Sequence, residues 1–196
     1  MDCMQQSIHL IGFIAGKNKM WKIKKTERIL DSEYVKVDKD DVILTNNREI
    51  PDFYKVTIKD CSAIVAITED HHIILKKEYR HCYQEKLIEI PAGVLEASED
   101  PPKAAKRELL EETGYTSDQW TYLGKTVESS AKLTNYMHIF LAENCKKVSK
   151  QKLDYGEDIE VIEVDFDHAI QMIMNNEIIC NSSIGAILKV ARIKQL

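Results

Sequence analysis

Between residues 34 and 58 β-branched and aromatic residues alternate with polar ones, over 34–37 (YVKV), 42–44 (VIL) and, after an Asn46-Asn47 turn, 53–58 (FYKVTI). A period of two predicts half-buried strands of an antiparallel meander. Residues 62–68 (SAIVAIT) and 72–76 (HIILK) are more apolar and flank Glu69-Asp70, which predicts a hairpin of deeply buried strands, with residues 87–90 as a further strand. The pattern changes after Asp100, which is placed to cap a helix, with Pro101 at the first helical position where a missing N–H costs nothing. Gly114 supplies a left-handed stop. Strands are predicted over 134–142 and 158–165, and helices over about 167–176 and 182–194. Strands interrupted by helices without regular alternation predict an α+β chain: a mixed central sheet with helices on its faces, preceded by a small antiparallel β region. The expected boundary divides residues 1–57 from 58–196.

Composition narrows the class. The 196 residues are 44% hydrophobic and 30% charged, with 7 Gly and 4 Pro, and no apolar run approaches the roughly 20 residues of a membrane helix. A balance of 27 basic against 32 acidic residues gives a net charge of -5, so bulk charge draws the chain to neither nucleic acid nor anionic lipid, and neither is an expected partner. Cys3, Cys61, Cys82, Cys145 and Cys180 form no CxxC pair and read as reduced thiols of a cytoplasmic protein. The apolar stretch 8–15 (IHLIGFIA) is preceded by Asp2 and followed by lysines, the reverse of a secretory signal, and is expected to pack on the domain or to be an upstream extension.

Chemistry concentrates in residues 92–115, AGVLEASEDPPKAAKRELLEETGY. On the predicted helix Glu108, Glu111 and Glu112 stand at i, i+3 and i+4, so three carboxylates project from one face. Their repulsion is relieved by a divalent cation, and oxygen donors suit Mg²⁺ or Mn²⁺ better than zinc; a solvated acidic face is the alternative for three glutamates alone. Arg107 can pair with Glu99 and pin the preceding loop to the helix, while Gly93 permits a backbone turn that brings a carbonyl beside it. His71-His72 falls in a hairpin turn and reads as exposed.

The full spacing is Gly93, five residues, Glu99, seven residues, Arg107-Glu108-Leu109, one residue, Glu111-Glu112, one residue, Gly114-Tyr115. It resembles the Nudix box, Gx5Ex7REUxEExGU with U apolar, at every position, and on it the chain is similar to the Nudix hydrolases. The resemblance implies a Nudix fold, an α/β/α sandwich. It implies that Glu108 and Glu112 ligate metal, that Glu111 ligates a second metal or orients water, that the Ala92 carbonyl completes the coordination, and that Gly93, Glu99, Arg107 and Gly114 are structural.

Outside the box, residues 35–93 resemble the ADP-ribose pyrophosphatase branch: a β-rich beginning, Glu78-Tyr79-Arg80, then LIEIPAG over 87–93. That likeness implies substrate binding by Arg80 and Glu89; neighbour pairing is the less favoured reading of Arg80, and a structural hydrogen bond an equal reading of Glu89. It also implies a homodimer built through the N-terminal region, and a general base from the loop near 153–159, where Glu157 or Asp154 are the candidates. Two features depart from the branch. Residues 129–136 (SSAKLTNY) lack its proline and glutamate, and Tyr155 stands where a glutamate is expected, which leaves GDP-mannose or UDP-glucose open beside ADP-ribose. The expected activity is Mg²⁺-dependent hydrolysis of such a nucleoside diphosphate substrate to a nucleoside monophosphate and a sugar phosphate. The alternatives are a nucleotide-sugar sensor without turnover, disfavoured by the intact glutamate set, and a nucleoside triphosphate or dinucleoside polyphosphate pyrophosphatase, disfavoured by the β-rich beginning.

Overall fold

The computed structural model describes residues 20–195, so the stretch 8–15 and Cys3 lie outside the described residues. Two sheets are present. Strands β1 (Lys22–Asp31), β2 (Lys36–Ile43) and β3 (Glu49–Thr57) form an antiparallel sheet in that order. The second sheet has eight strands: β4 (Cys61–Thr68), β5 (His72–Arg80), β6 (Glu85–Glu89), β7 (Ala92–Val94), β8 (Tyr115–Thr116), β9 (Gln119–Thr126), β10 (Met137–Lys147) and β11 (Ile159–Asp165). Its main path runs β11-β5-β4-β10-β8, with β6 on β5, β7 on β4 and β9 on β10. β4 and β10 are parallel and their other neighbours antiparallel, so the sheet is mixed.

The central strands bury both faces, which is why SAIVAIT shows no alternation. Ala63, Val65 and Ile67 face one core with Leu75, Ile139 and Leu141, covered by helices α2 (Phe166–Met174) and α3 (Asn181–Lys194). Ile64 and Ala66 face the other with Ile74 and Phe140, covered by Ala105 and Leu109 of helix α1 (Pro101–Thr113). The sheet lies between helices on both faces, an α/β/α sandwich.

The helix ends follow local chemistry. Pro101 opens α1, and Gly114, at φ 77°, closes it by donating its N–H to the Leu110 carbonyl at 2.8 Å. A Cβ on Gly114 would also collide with the Ser149 carbonyl. Asp100 departs from expectation: its side chain makes no cap, and its carboxylate lies 3.8 Å from Lys103 instead. α2 is capped by Asp165, whose Oδ1 accepts from Asp167 N and His168 N.

Strand β2 corrects the sequence reading. Residues 38–41 (DKDD) look like a break between two short strands, yet they continue one strand with Asp38 and Asp40 buried. Cations on both neighbours make this possible: Arg28 of β1 donates to Asp38, and Lys55 of β3 donates to Asp40 at 2.7 Å, joined there by Thr26 at 2.6 Å. β1 shows no apolar alternation because all ten of its residues are exposed. The two sheets are tied where Val56 N donates to Lys132 O and Thr134 N to Val56 O, at 2.8 and 3.1 Å.

Candidate active site

Helix α1 turns Glu108 and Glu112 toward the strands, both buried, and leaves Glu111 half-buried beside them. The facing wall is β5, where the period of two that points Ile74 at α1 also points Lys76, Glu78 and Arg80 the same way. Between them lies a cleft of about 490 Å³, lined also by Ala92 and Gly93 of β7, by Asp154 and Glu157 of the loop between β10 and β11, and by Tyr34 from the β1–β2 turn.

Arg107 organises the helix side. Its Nε and Nη2 hold both oxygens of Glu99 at 3.0 and 2.9 Å, Nη2 donates to the Val94 carbonyl at 3.1 Å, and Nη1 reaches Glu108 at 2.7 Å and Glu111 at 3.2 Å. The planar fork pins the 94–99 loop to α1 and spreads one positive charge over three carboxylates. The Arg107 fork and the Glu96 N–H hold Glu99 below the usual glutamate range, while burial pushes Glu108 up against the pull of Arg107. Gly93 acts by what it lacks, since a Cβ there would run into the Glu108 carboxylate; its value is close approach rather than an unusual turn.

Lys76 organises the strand side. Its side chain is 1% exposed, and its Nζ contacts Glu112 directly, the Ala92 carbonyl at 3.2 Å and Glu78 at 3.1 Å. The other Glu112 oxygen accepts from Ala92 N at 3.0 Å. Burial pushes Glu112 up to about 7. Burial also works against the Lys76 charge, but Glu112 and Glu78 outweigh it and hold the ammonium above the ordinary lysine value. Glu78 Oε2, although near Lys76, has no partner in hydrogen-bond geometry and is buried.

Arg80 pairs with Glu78 Oε1 at 2.9 Å and Glu89 Oε2 at 3.0 Å, so the neighbour pairing open from the sequence is the one formed here. Its side chain remains one-third exposed at the cleft mouth. Asp154 N donates to Glu157 Oε2 at 2.9 Å and Glu157 N to the Asp154 carbonyl at 3.0 Å, which folds the loop on itself with both residues at the cleft. Gly114 lies at the far end of α1. Lys76, Glu78 and Tyr34 are cleft residues that the sequence reading missed; extending the alternation of Ile74 by two and four positions would have found the first two.

Among the described residues no three carboxylates, imidazoles or thiolates converge as a closed metal shell, because Arg107 and Lys76 draw the glutamates apart. The donors nonetheless fit a hard cation: they are all oxygens, a partnerless buried Glu78 oxygen faces the cleft, and Gly93 leaves room beside Glu108.

The NUDIX domain family matches residues 59–178. This chain belongs to the Nudix family. The match spans β4 through α2 and the whole of the Nudix box on α1. The chain is 35% identical over 171 residues to the methanol dehydrogenase activator of Bacillus methanolicus, covering 85% of this chain and 90% of that one. It is 34% identical over 157 residues to the ADP-ribose pyrophosphatase of Bacillus subtilis, covering 78% and 82%. A crystal structure of an ADP compounds hydrolase superposes with a TM-score of 0.78 at 20% identity, over 90% of this chain and 95% of that one, and shares its Nudix fold.

Proposed function

We propose that the chain is a Mg²⁺-dependent pyrophosphatase, with Mn²⁺ as an alternative ion, that splits the diphosphate of ADP-ribose or a related nucleoside diphosphate sugar into a nucleoside monophosphate and a sugar phosphate. The observation that carries this reading is the carboxylate face of α1, facing Arg80 across a cleft with loop carboxylates at its rim. Glu108 and Glu111 are the groups open to the ion; Glu112 and the Ala92 carbonyl would join them only where Lys76 gave way. When bound, the ion neutralises the two phosphates and acidifies an attacking water. Arg80, already at the mouth, exchanges Glu78 for phosphate oxygens, while Glu89 keeps its hold on the guanidinium and sets its orientation. Glu157 or Asp154 accepts the proton as water adds to phosphorus and the bridging P–O bond breaks. Glu99 and Arg107 keep α1 in place, Gly93 gives Glu108 its room, and Gly114 ends the helix.

Residues 58–196 serve in this reading as the hydrolase domain and residues 1–57 as a dimerising region. Support for a homodimer comes from β1, exposed along its length with Trp21, Ile23, Ile29 and Leu30 uncovered. The described cysteines are free thiols, which suits the cytoplasm, and among the described residues no helix is long and apolar enough to cross a membrane. The likeness to the methanol dehydrogenase activator favours a second reading, in which the chain controls a partner enzyme through the nucleotide it binds.

The test is a panel of ADP-ribose, GDP-mannose, UDP-glucose, diadenosine polyphosphates and nucleoside triphosphates, assayed with Mg²⁺ or Mn²⁺ against the Glu108→Gln variant. Turnover of a diphosphate sugar, lost in the variant, supports the proposal. Silence across the panel from folded, metal-bound protein overturns it and favours the second reading.

A further inference from the structure

Lysine in the interior of a central strand requires a reason, because an ammonium costs a great deal to bury without partners. Lys76 has no route to solvent: its strand is in register with Glu89 of β6 on one side and Val161 of β11 on the other, and the side chain is 1% exposed. It runs instead to the Ala92 carbonyl and Glu112, which it bonds, with a Glu78 oxygen 3.1 Å away outside hydrogen-bond geometry. The two bonded groups are oxygens that would otherwise serve a divalent ion. An ammonium bonded to both is a fixed monovalent cation in a cation site.

We propose that Lys76 is a built-in substitute for one metal ion: its ammonium occupies the position between the Ala92 carbonyl and Glu112, and the free protein takes up divalent cations only on the outer side, at Glu108 and Glu111. Coordination to Mg²⁺ or Mn²⁺ needs oxygens at about 2 Å, and an ion that close to the Ala92 oxygen and Glu112 would displace the ammonium already bonded to both. Glu108 and Glu111 are released for a divalent ion when Arg107 Nη1 lets them go, while Nε and Nη2 keep their hold on Glu99 and the Val94 carbonyl.

The inference rests on the metal-dependent reading of this cleft, and its test separates the two. Bound Mn²⁺ is counted without substrate, by the loss of the free-ion electron paramagnetic resonance signal, in the wild-type chain and in Lys76→Met, which keeps the length of the stem and removes the charge. The expected result is one Mn²⁺ more per chain in Lys76→Met, with a melting temperature that Mn²⁺ raises further than it does in wild type. Equal numbers of ions overturn the role of Lys76 and leave the metal reading standing; no ion in either protein overturns both. Should Lys76→Met fail to fold, the anomalous signal of Mn²⁺ in wild-type crystals decides. An ion at Glu108 and Glu111, with Lys76 still on Ala92 and Glu112, supports the proposal, and an ion bonded to Glu112 with Lys76 displaced overturns it.

Discussion

The two sheets solve opposite problems with opposite chemistry. In the eight-stranded sheet the central strands are apolar on both faces, each covered by helices, and charge enters only at the cleft, where Lys76, Glu78 and Glu112 are buried beside one another. In the three-stranded sheet two of the three buried positions of β2 are carboxylates, Asp38 and Asp40 beside Val42, while apolar Trp21, Ile23, Ile29 and Leu30 lie exposed on or next to β1. A sheet that buries charge and exposes hydrophobic residues suits the dimerising role proposed for it. The sandwich holds its shape by area removed from water, and the smaller sheet by hydrogen-bonded ion pairs between its strands.

Each region carries one of the two tryptophans, so the comparison can be broken experimentally. Trp21 packs edge-on to Phe53 in the small sheet, and Trp120 against Phe140 in the sandwich. The largest expected effect is at the cleft: Glu112→Gln leaves the Lys76 charge buried without its carboxylate and costs about 3–5 kcal/mol, read by urea unfolding. Pairing it with Lys76→Met recovers most of that loss; additive losses would show that the two charges do not depend on each other. Leu109→Ala, in the core under α1, costs about 2–5 kcal/mol and shifts the unfolding reported by Trp120.

Effects on the small sheet are expected to be smaller and confined to Trp21. Asp40→Asn removes the charge that Lys55 and Thr26 bond and costs about 1–3 kcal/mol. Acid acts on the same group. Hydrogen bonds from Lys55 and Thr26 hold the Asp40 carboxyl below its ordinary value of 3.8. Its contribution to folding is therefore complete above that value and lost as pH falls through the lower folded value. The Trp21 signal should change in that range and Asp40→Asn should abolish the dependence; an unchanged profile in Asp40→Asn would place the acid sensitivity elsewhere. The smallest effect belongs to Lys24→Gln, which breaks an exposed pair with Glu49 and costs under about 1 kcal/mol.

What was legible in the sequence follows the same division. SAIVAIT and the box residues could be read because burial on two faces leaves an unbroken apolar run, and because a helix period fixes where Glu108, Glu111 and Glu112 point. β1 could not, since KIKKTERILD buries nothing and leaves no alternation, nor could the middle of β2, where DKDD has the composition of a turn and is rescued by cations from two other strands. Edge strand β9 (QWTYLGKT) has the same weakness. At the site, the pairing of Glu99 with Arg107 followed from spacing, whereas Lys76 did not, because a lysine among apolar residues reads as the solvent-facing end of its strand until Glu112 and Ala92 are seen to converge on it.

The central claim is that the carboxylate face of α1 carries out metal-dependent cleavage of a diphosphate. The most direct test follows ADP-ribose in wild-type protein and in Glu108→Gln as Mg²⁺ is raised, with chromatography of the products. The account predicts that AMP and ribose phosphate appear together, only with Mg²⁺, and that Glu108→Gln loses more than roughly 100-fold in rate while still folded. Equal turnover in Glu108→Gln, or hydrolysis that persists in excess chelator, would contradict it.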